Sequence, residues 1–176
     1  GVFYATREPP IVPDVLLAVG VRQGTDLTER ENLSYFVWTR GKVPDVAIEI
    51  VSNREGGEDS SKLRIYARIG VPYYVIFDPE DLLRGGVLRV FGRSELRYCP
   101  LAEPYFLEEL GLGVRLWEGE FEGIQRSWLR WCDRAGNVIP TGAERAEVEQ
   151  QRAERAEKEL AALRAKLREQ GIEPPA

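Results

Sequence analysis

The segment from residue 43 to residue 80 constrains the fold more than any other part of the chain. It begins with an apolar stretch, "VPDVAIEIVS", whose alternating residues are typical of a buried strand. A polar loop follows, and then "SKLRIYARIG" has the apolar spacing of a helix and ends at a glycine, a usual helix terminator. "VPYYVIFDPE" is rich in aromatic and β-branched residues. The order strand, helix, strand predicts a right-handed crossover between two parallel strands.

Further strands are predicted on both sides of this unit. "IVPDVLLAVG", residues 11–20, is a second apolar run that we expect to pair with the strand at 43–52, across a polar loop with or without a short helix. Residues 85–100 alternate as one or two antiparallel strands at a sheet edge. Residues 105–124 and 127–140 are interpreted as irregular segments and short strands that cover the core with tryptophan.

A glutamate interrupts the most apolar strand. Because side chains alternate, Val46, Ile48 and Ile50 share one face, and Glu49 lies on the other. A buried carboxylate is costly unless it is paired, bound to a cation or protonated. Three explanations stay open from the residues alone: an ion pair with an arginine, a strand nearer the surface than its composition indicates, or a metal ligand.

Two aspartates are the candidates to join Glu49 in a metal site. Asp14 heads the neighbouring strand, and two carboxylates on adjacent strands can share one Mg²⁺. A Pro-Asp turn at the strand entry is the alternative explanation for Asp14. Asp45 lies four residues from Glu49, about 13 Å away on an extended strand. It is therefore interpreted as a supporting or structural residue.

Lys62 is the third candidate. It shares one helical face with Ile65, Tyr66 and Ile69, so it is expected to point toward the sheet. A lysine that extends along the helix edge to solvent is the alternative. The helix dipole disfavours a cation in the first turn, which favours a specific role such as polarising a phosphate. Tyr66 on the same face is a supporting or alternative site residue.

The composition excludes several classes of site. The chain has no histidine, so histidine triads, histidine bases and histidine-bound zinc are excluded. A net charge of -5 does not favour nucleic-acid binding by bulk attraction, and any such binding needs a local basic patch. Cys99 and Cys132 form no CxxC pair, which favours reduced thiols over a disulfide. No apolar run reaches the roughly 18 residues of a membrane span. A cytoplasmic protein is expected.

The last part of the chain differs from the rest and is treated as a second region, residues 139–176, after a domain at 1–138. "TGAE" is a capping-box pattern at Thr141 and Glu144. Residues 143–170 are rich in charges of both signs, and a heptad seam of alanine and leucine runs through them, with Glu149 in one position. Self-association and a lone charged helix are both open. "GIEPPA" is expected to end the helix.

Together, these motifs make the chain similar to a known family. The stretches "VPDVLLAV", "VPDVAIEIVS", "KLRIYARIGVPYYVIFDP" and "LGLGVRLWEGEFEG" resemble the Uma2 family of endonucleases, a branch of the PD-(D/E)xK restriction-endonuclease-like superfamily. The resemblance implies a restriction-endonuclease-like α/β fold. Its mixed sheet would be flanked by helices, and the charged, coiled-coil-like helix would follow.

The resemblance also implies a reaction. It implies hydrolysis of nucleic-acid phosphodiester bonds with Mg²⁺ or Mn²⁺ held by Asp14 and Glu49. In this branch the lysine of the ExK motif commonly moves from the strand to the next helix, which matches Val51 and Lys62 here. The catalytic set is then Asp14, Glu49 and Lys62.

One departure from the family concerns the start of the chain. Family members begin with a segment that bears a further acidic residue, whereas this chain starts after it, at Gly1, and contains no methionine. An absent N-terminal segment is therefore expected. The alternative to a nuclease is a non-catalytic scaffold that associates through its C-terminal helix.

Overall fold

The computed structural model describes residues 1–22, 24, 26, 28–54 and 57–170. Within it the chain divides into two compact units, Gly1–Val138 and Ile139–Ala176. The first unit holds ten strands, three short α-helices and one 3₁₀ helix among its described residues, and the second is a single long helix. The predicted ending "GIEPPA" lies outside the described residues.

The strands of the first unit are numbered in chain order. They are β1 Val2–Phe3, β2 Val15–Leu17, β3 Tyr35–Phe36, β4 Val46–Ile50, β5 Tyr73–Phe77, β6 Leu88–Ser94, β7 Arg97–Pro100, β8 Phe106–Leu107, β9 Leu112–Phe121 and β10 Ile124–Cys132. The helices are α1 Arg30–Leu33, α2 Val37–Arg40, α3 Ser61–Ile69 and, in the second unit, α4 Gly142–Glu169.

A mixed five-stranded sheet in the order β2-β4-β5-β6-β7 carries the predicted crossover. Strands β4 and β5 are parallel neighbours joined through α3, and β2 pairs with β4 in the antiparallel sense. The segments predicted around residues 43–80, the pairing of 11–20 with 43–52 and the edge strands in 85–100 are all confirmed. Gly70 ends α3 with φ 97°, a left-handed conformation that glycine adopts without steric cost.

The strand alternation of β4 divides the core into two clusters. Ala47 and Val51 face Tyr66 and Ala67 of α3 on one side of the sheet. Val46 and Ile48 face the opposite side, where Leu107 and Val114 of the second sheet pack. Helix α3 thus covers one face of the five-stranded sheet, and a three-stranded sheet in the order β10-β9-β8 covers the other.

The segments expected to be irregular or short strands form a long hairpin instead. Strands β9 and β10 have 10 and 9 residues and pair along their whole length, from Phe121 with Ile124 to Gly113 with Cys132. Their two-residue turn places Glu122 at φ 51° and Gly123 at φ 77°. Two successive positive φ values are the geometry of a type I′ turn, which usually carries Asn-Gly or Asp-Gly. The expectation was wrong because Glu-Gly is a weak signal for that turn.

Helix α4 begins with the predicted capping box. The Thr141 hydroxyl accepts a hydrogen bond from the Glu144 N–H at 3.1 Å, and the Glu144 carboxylate accepts one from the Thr141 N–H at 2.6 Å. Both bonds satisfy donors that a helix start otherwise leaves unpaired. Within the part of the chain that the structure describes, neither α4 nor any other helix is long and apolar enough to cross a membrane.

The two isoleucines of β4 allow a matched test of this core. Ile48 is 5% exposed and Ile50 is 43% exposed. We expect Ile48→Ala to lower the free energy of unfolding by about 2–5 kcal/mol because it leaves a cavity between the two sheets. Ile50→Ala in the same strand is expected to cost less than half as much. Denaturant unfolding of both variants measures the difference, and equal losses would contradict the assignment of these two positions.

Candidate active site

Helix α3 and strand β4 place the candidate side chains against one another. The parallel pairing of β4 with β5 brings α3 back across the face of β4 that carries Ala47, Glu49 and Val51. Residues four apart lie above one another on a helix, so Lys62 and Tyr66 of α3 both point at that face. Position 51, where an ExK motif has its lysine, is a valine buried in the apolar cluster. Lys62 supplies the cation from the helix.

Glu49 lies at the centre of this arrangement. It is 0% exposed, although it is the carboxylate of an apolar strand. Tyr66 Oη donates a hydrogen bond to Glu49 Oε1 at 2.7 Å, and Lys62 Nζ donates to Glu49 Oε2 at 2.8 Å. Each carboxylate oxygen therefore has a protein donor. Of the three explanations from the sequence, an ion pair is present, but its partner is a lysine and not an arginine.

Glu58 is a member of this cluster that the sequence reasoning missed. Its Oε1 lies 3.2 Å from Lys62 Nζ, and the residue is 6% exposed. The Tyr74 hydroxyl donates to the Glu58 carbonyl oxygen at 2.8 Å and holds the loop in place. Its Oε2 is buried with no hydrogen-bond partner. The available signal was the spacing of four between Glu58 and Lys62, which favours an ion pair at a helix start.

Asp14 reaches the same end of β4 from the loop before β2. Its Oδ2 accepts a hydrogen bond from the Ile50 N–H at 2.7 Å, which ties it to the residue after Glu49. Asp14 is exposed, in contrast to Glu49. Its negative charge acts on Glu49 across the β2–β4 pairing. The structure thus brings Asp14, Glu49 and Lys62 to one place.

Asp45 belongs to a different network at the other end of β4. Lys42 Nζ lies 2.7 Å from Asp45 Oδ2, and the Val19 N–H donates to the same oxygen at 2.7 Å. Both contacts fix the entry of β4 against the exit of β2. The contacts of Asp45 are structural, whereas Tyr66 contacts Glu49 directly.

A comparison with protein families identifies the domain that carries this geometry. The family model Uma2, described as "Putative restriction endonuclease", matches residues 2–104. That match covers more than half of the chain and includes β4, α3 and β5, with every residue of the cluster. The chain belongs to the Uma2 family. Neither a curated protein nor a solved structure matches this Uma2 chain.

Burial controls the ionisation of this Uma2 cluster. Burial raises the pKa of Glu49 above its ordinary value, and although hydrogen bonds from Lys62 and Tyr66 lower it, they do not offset the burial. Burial lowers the pKa of Lys62, but its bonds to Glu49 and Glu58 outweigh this and the pKa is raised. Burial and the charge of Glu49 raise the pKa of Tyr66, so its hydroxyl keeps its proton and donates.

The raised pKa of Glu49 has a definite sign for stability. A carboxyl group whose pKa is higher in the folded than in the unfolded chain contributes stability below its unfolded pKa. That contribution is lost as the pH rises through the folded pKa. Glu49 therefore makes its least favourable contribution to folding when it is ionised, which is the form that can bind a cation.

The donor set fits a hard divalent cation. Mg²⁺ in proteins is often held by one or two carboxylates, together with water and substrate phosphate oxygens. Asp14 and Glu49 supply such a pair, and the buried, unpartnered Glu58 Oε2 is a further carboxylate oxygen beside Lys62. Across residues 1–22, 24, 26, 28–54 and 57–170, no group of three or more His, Cys, Asp or Glu is arranged to hold a metal ion. Asp14 and Glu49 thus offer two carboxylates of the kind that Mg²⁺ uses together with water and phosphate oxygens.

Two single substitutions, each of which removes one hydrogen-bond donor to Glu49, test what controls its ionisation. Lys62→Met is expected to raise the pKa of Glu49 further, because it removes a hydrogen bond and a positive charge that lower it. Tyr66→Phe is expected to act in the same direction, since it removes the second donor. The carboxyl ¹³C chemical shift of Glu49, followed by NMR against pH, measures both changes.

Lys42→Met is the control, because Lys42 is also paired with a carboxylate of the same segment but contacts Asp45. It is expected to leave the titration of Glu49 unchanged. An unchanged or lowered pKa of Glu49 in Lys62→Met would contradict the role given to this ion pair.

Proposed function

We propose that this chain is a Mg²⁺-dependent endonuclease that hydrolyses phosphodiester bonds in nucleic acid, with Mn²⁺ as an alternative ion. The observation that carries the proposal is the contact of Lys62 Nζ with the fully buried Glu49, 2.8 Å apart, with Asp14 beside them. Membership of the Uma2 family, described as "Putative restriction endonuclease", supports the same reaction. A fully buried carboxylate is costly for folding even when it is paired with one lysine, which favours a functional reason for it.

Asp14 and Glu49 would hold the ion in this proposal. The bound ion supplies positive charge at the phosphate and makes a bound water more acidic. Asp14, which is exposed, would be one ligand. Buried Glu49 would be the other, and Tyr66 fixes the orientation of its carboxylate through a 2.7 Å hydrogen bond.

Lys62 would offset the negative charge that develops on the phosphate. It is half-buried and already lies between two carboxylates, Glu49 and Glu58. The Lys62 ammonium group would turn from Glu49 toward the phosphate, and Glu58 would keep Lys62 in place because their contact does not involve Glu49.

Cleavage assays with paired lysine variants test the proposal. The chain is incubated with labelled single- and double-stranded DNA and RNA in the presence of Mg²⁺ or Mn²⁺. Lys62→Met is expected to reduce the cleavage rate about a hundredfold or more, the usual cost of removing a group that stabilises developing charge. Glu49→Gln is expected to abolish cleavage and to weaken divalent-ion binding, measured by calorimetry.

Lys42→Met is again the matched control, since it removes a lysine from an ion pair with Asp45 at the opposite end of β4. Its cleavage rate is expected to equal that of the unchanged chain. If Lys62→Met and Lys42→Met cleave equally well, the cluster around Glu49 takes no part in the reaction.

We also propose a second function, in which the chain acts as a scaffold. In this role α4 associates with the α4 helix of a second copy of the chain. Val148, Leu160 and Leu163 are exposed on this helix, and the two leucines lie on the heptad seam. Charged residues of both signs surround them, as at the flanking positions of coiled coils. This second function does not exclude the first, because the helix and the cluster at Glu49 lie in different units.

Leu160→Lys together with Leu163→Lys is expected to convert the associated chain to monomers in sedimentation equilibrium. Ala161→Lys together with Ala165→Lys adds the same charge off the seam and is expected to leave association intact. Monomers in the unchanged chain at high concentration would contradict self-association through α4.

A further inference from the structure

A groove lies between β10 and the edge of the five-stranded sheet, on the side of β4 away from Glu49. Its volume is about 370 Å³, within the range of small-ligand sites. Its walls are apolar and aromatic, formed by Val15, Ile48, Ile50, Phe77, Trp128 and Trp131. We refer to it as the Trp128 groove.

The groove opens to solvent next to the candidate active site. Val15 and Ile50 form its rim and are each 43% exposed. Val15 follows Asp14 in the chain, and the Ile50 N–H donates to Asp14 Oδ2 at 2.7 Å. The Asp14 carboxylate is thus bonded directly to the rim of the groove. A molecule that lies in the groove and crosses this rim passes Asp14.

The side chains of the groove combine flat aromatic surface with positive charge. The Arg126 guanidinium also lines the groove and lies 5.3 Å from the centre of the Trp128 ring. The Trp128 indole N–H donates to the Gly119 carbonyl oxygen at 3.1 Å, which fixes the plane of the ring. The guanidinium lies over one face of this fixed ring, and a tryptophan ring together with an arginine is the combination that stacks a nucleobase and binds its phosphate.

The hairpin continues this pattern beyond the groove. Strand alternation places Arg126, Trp128 and Arg130 on one face of β10, and Arg130 lies 4.9 Å from the centre of the Trp117 ring on β9. Glu118 and Glu120 of β9 alternate to the other face, which also carries Leu129 and Trp131. Because the two glutamates lie on the opposite face from the arginines, one face of the hairpin has alternating arginine and tryptophan, although the chain as a whole is acidic.

We infer that the Trp128 groove binds an unpaired base, so that the substrate of the proposed nuclease is single-stranded nucleic acid. This inference rests on the proposed function, because it names the substrate class of that site. A base inside a duplex is stacked and paired, and it must leave the helix before it can enter a groove with walls on two sides. A base in a single strand enters without that cost, and its neighbouring phosphate then lies at Arg126 and toward Asp14.

Binding measured without divalent ions tests the inference separately from cleavage. Fluorescence anisotropy with labelled 12-mers of single-stranded DNA, single-stranded RNA and a matched duplex gives the three affinities of the full chain. Both single strands are expected to bind at least about tenfold more tightly than the duplex, and the stronger of the two identifies the sugar preferred. Trp128→Leu is expected to weaken single-strand binding about tenfold or more, the usual effect of losing one stacking platform.

Arg126→Gln provides a second variant at an exposed position that does not depend on repacking. It is expected to weaken binding and to reduce the dependence of log affinity on log salt by about 0.7, the contribution of one phosphate contact on a single strand. Trp38→Leu and Arg97→Gln are the matched controls, since both residues are exposed and neither lines the groove. Both controls are expected to bind as the unchanged chain does.

Two results would overturn the inference: equal affinity for duplex and single strand, or single-strand affinity unchanged in folded Trp128→Leu and in Arg126→Gln. Groove-dependent binding without any cleavage would support the inference and remove the nuclease proposal. Cleavage of duplex only that depends on Glu49 and Lys62 but not on Trp128 would support the nuclease proposal and overturn the inference.

Discussion

The burial of one carboxylate determines much of the arrangement around it. Glu49 lies among apolar residues of its strand and is fully withdrawn from water, so protein groups have to stabilise its charge. Two donors do so, an ammonium group and a phenol, and both come from one helix. For this to work, α3 has to cross β4 in one rotational setting, with Lys62 and Tyr66 facing the sheet. Three features fix this orientation of α3: the crossover between β4 and β5, the end of α3 at Gly70 and the loop at Glu58.

Two lysine–carboxylate pairs lie toward the two ends of β4 and differ mainly in their surroundings. Just before the strand, Asp45 binds a backbone N–H and Lys42, whose side chain is 38% exposed, and such a partly exposed pair contributes little beyond local order. Near its exit Glu49 binds Lys62 inside the protein, where breaking the pair leaves a buried charge. The same chemistry is therefore structural at one end of the strand and a candidate for catalysis at the other. The two pairs differ in degree of burial, since the Glu49 side chain is 1% exposed and the Asp45 side chain 13%.

Much of this arrangement could be predicted because it depends on local periodicity. Alternation in residues 43–52 and helical spacing in 61–70 were enough to orient Glu49 and Lys62 toward each other. Two features depended on contacts that are distant in the chain or on an unusual turn. Glu58 sits in a loop, and nothing local indicates that the loop folds under Tyr74. The β9–β10 hairpin depends on Glu122 in a left-handed conformation, which glutamate rarely adopts. That a cation binds between Asp14 and Glu49 stays a prediction.

The edge strand β2 has a consequence for how the protein behaves at high concentration. It stands at one end of the five-stranded sheet, and its side chains Val15 and Leu16 are exposed. An apolar edge of this kind is a template on which another chain can add a strand and begin to aggregate. β2 is only three residues long, and Pro13 precedes it by two positions. Few backbone groups can therefore hydrogen-bond to an added strand. The shortness of β2 thus lets the protein expose apolar side chains at this edge while limiting the growth of an intermolecular sheet along it.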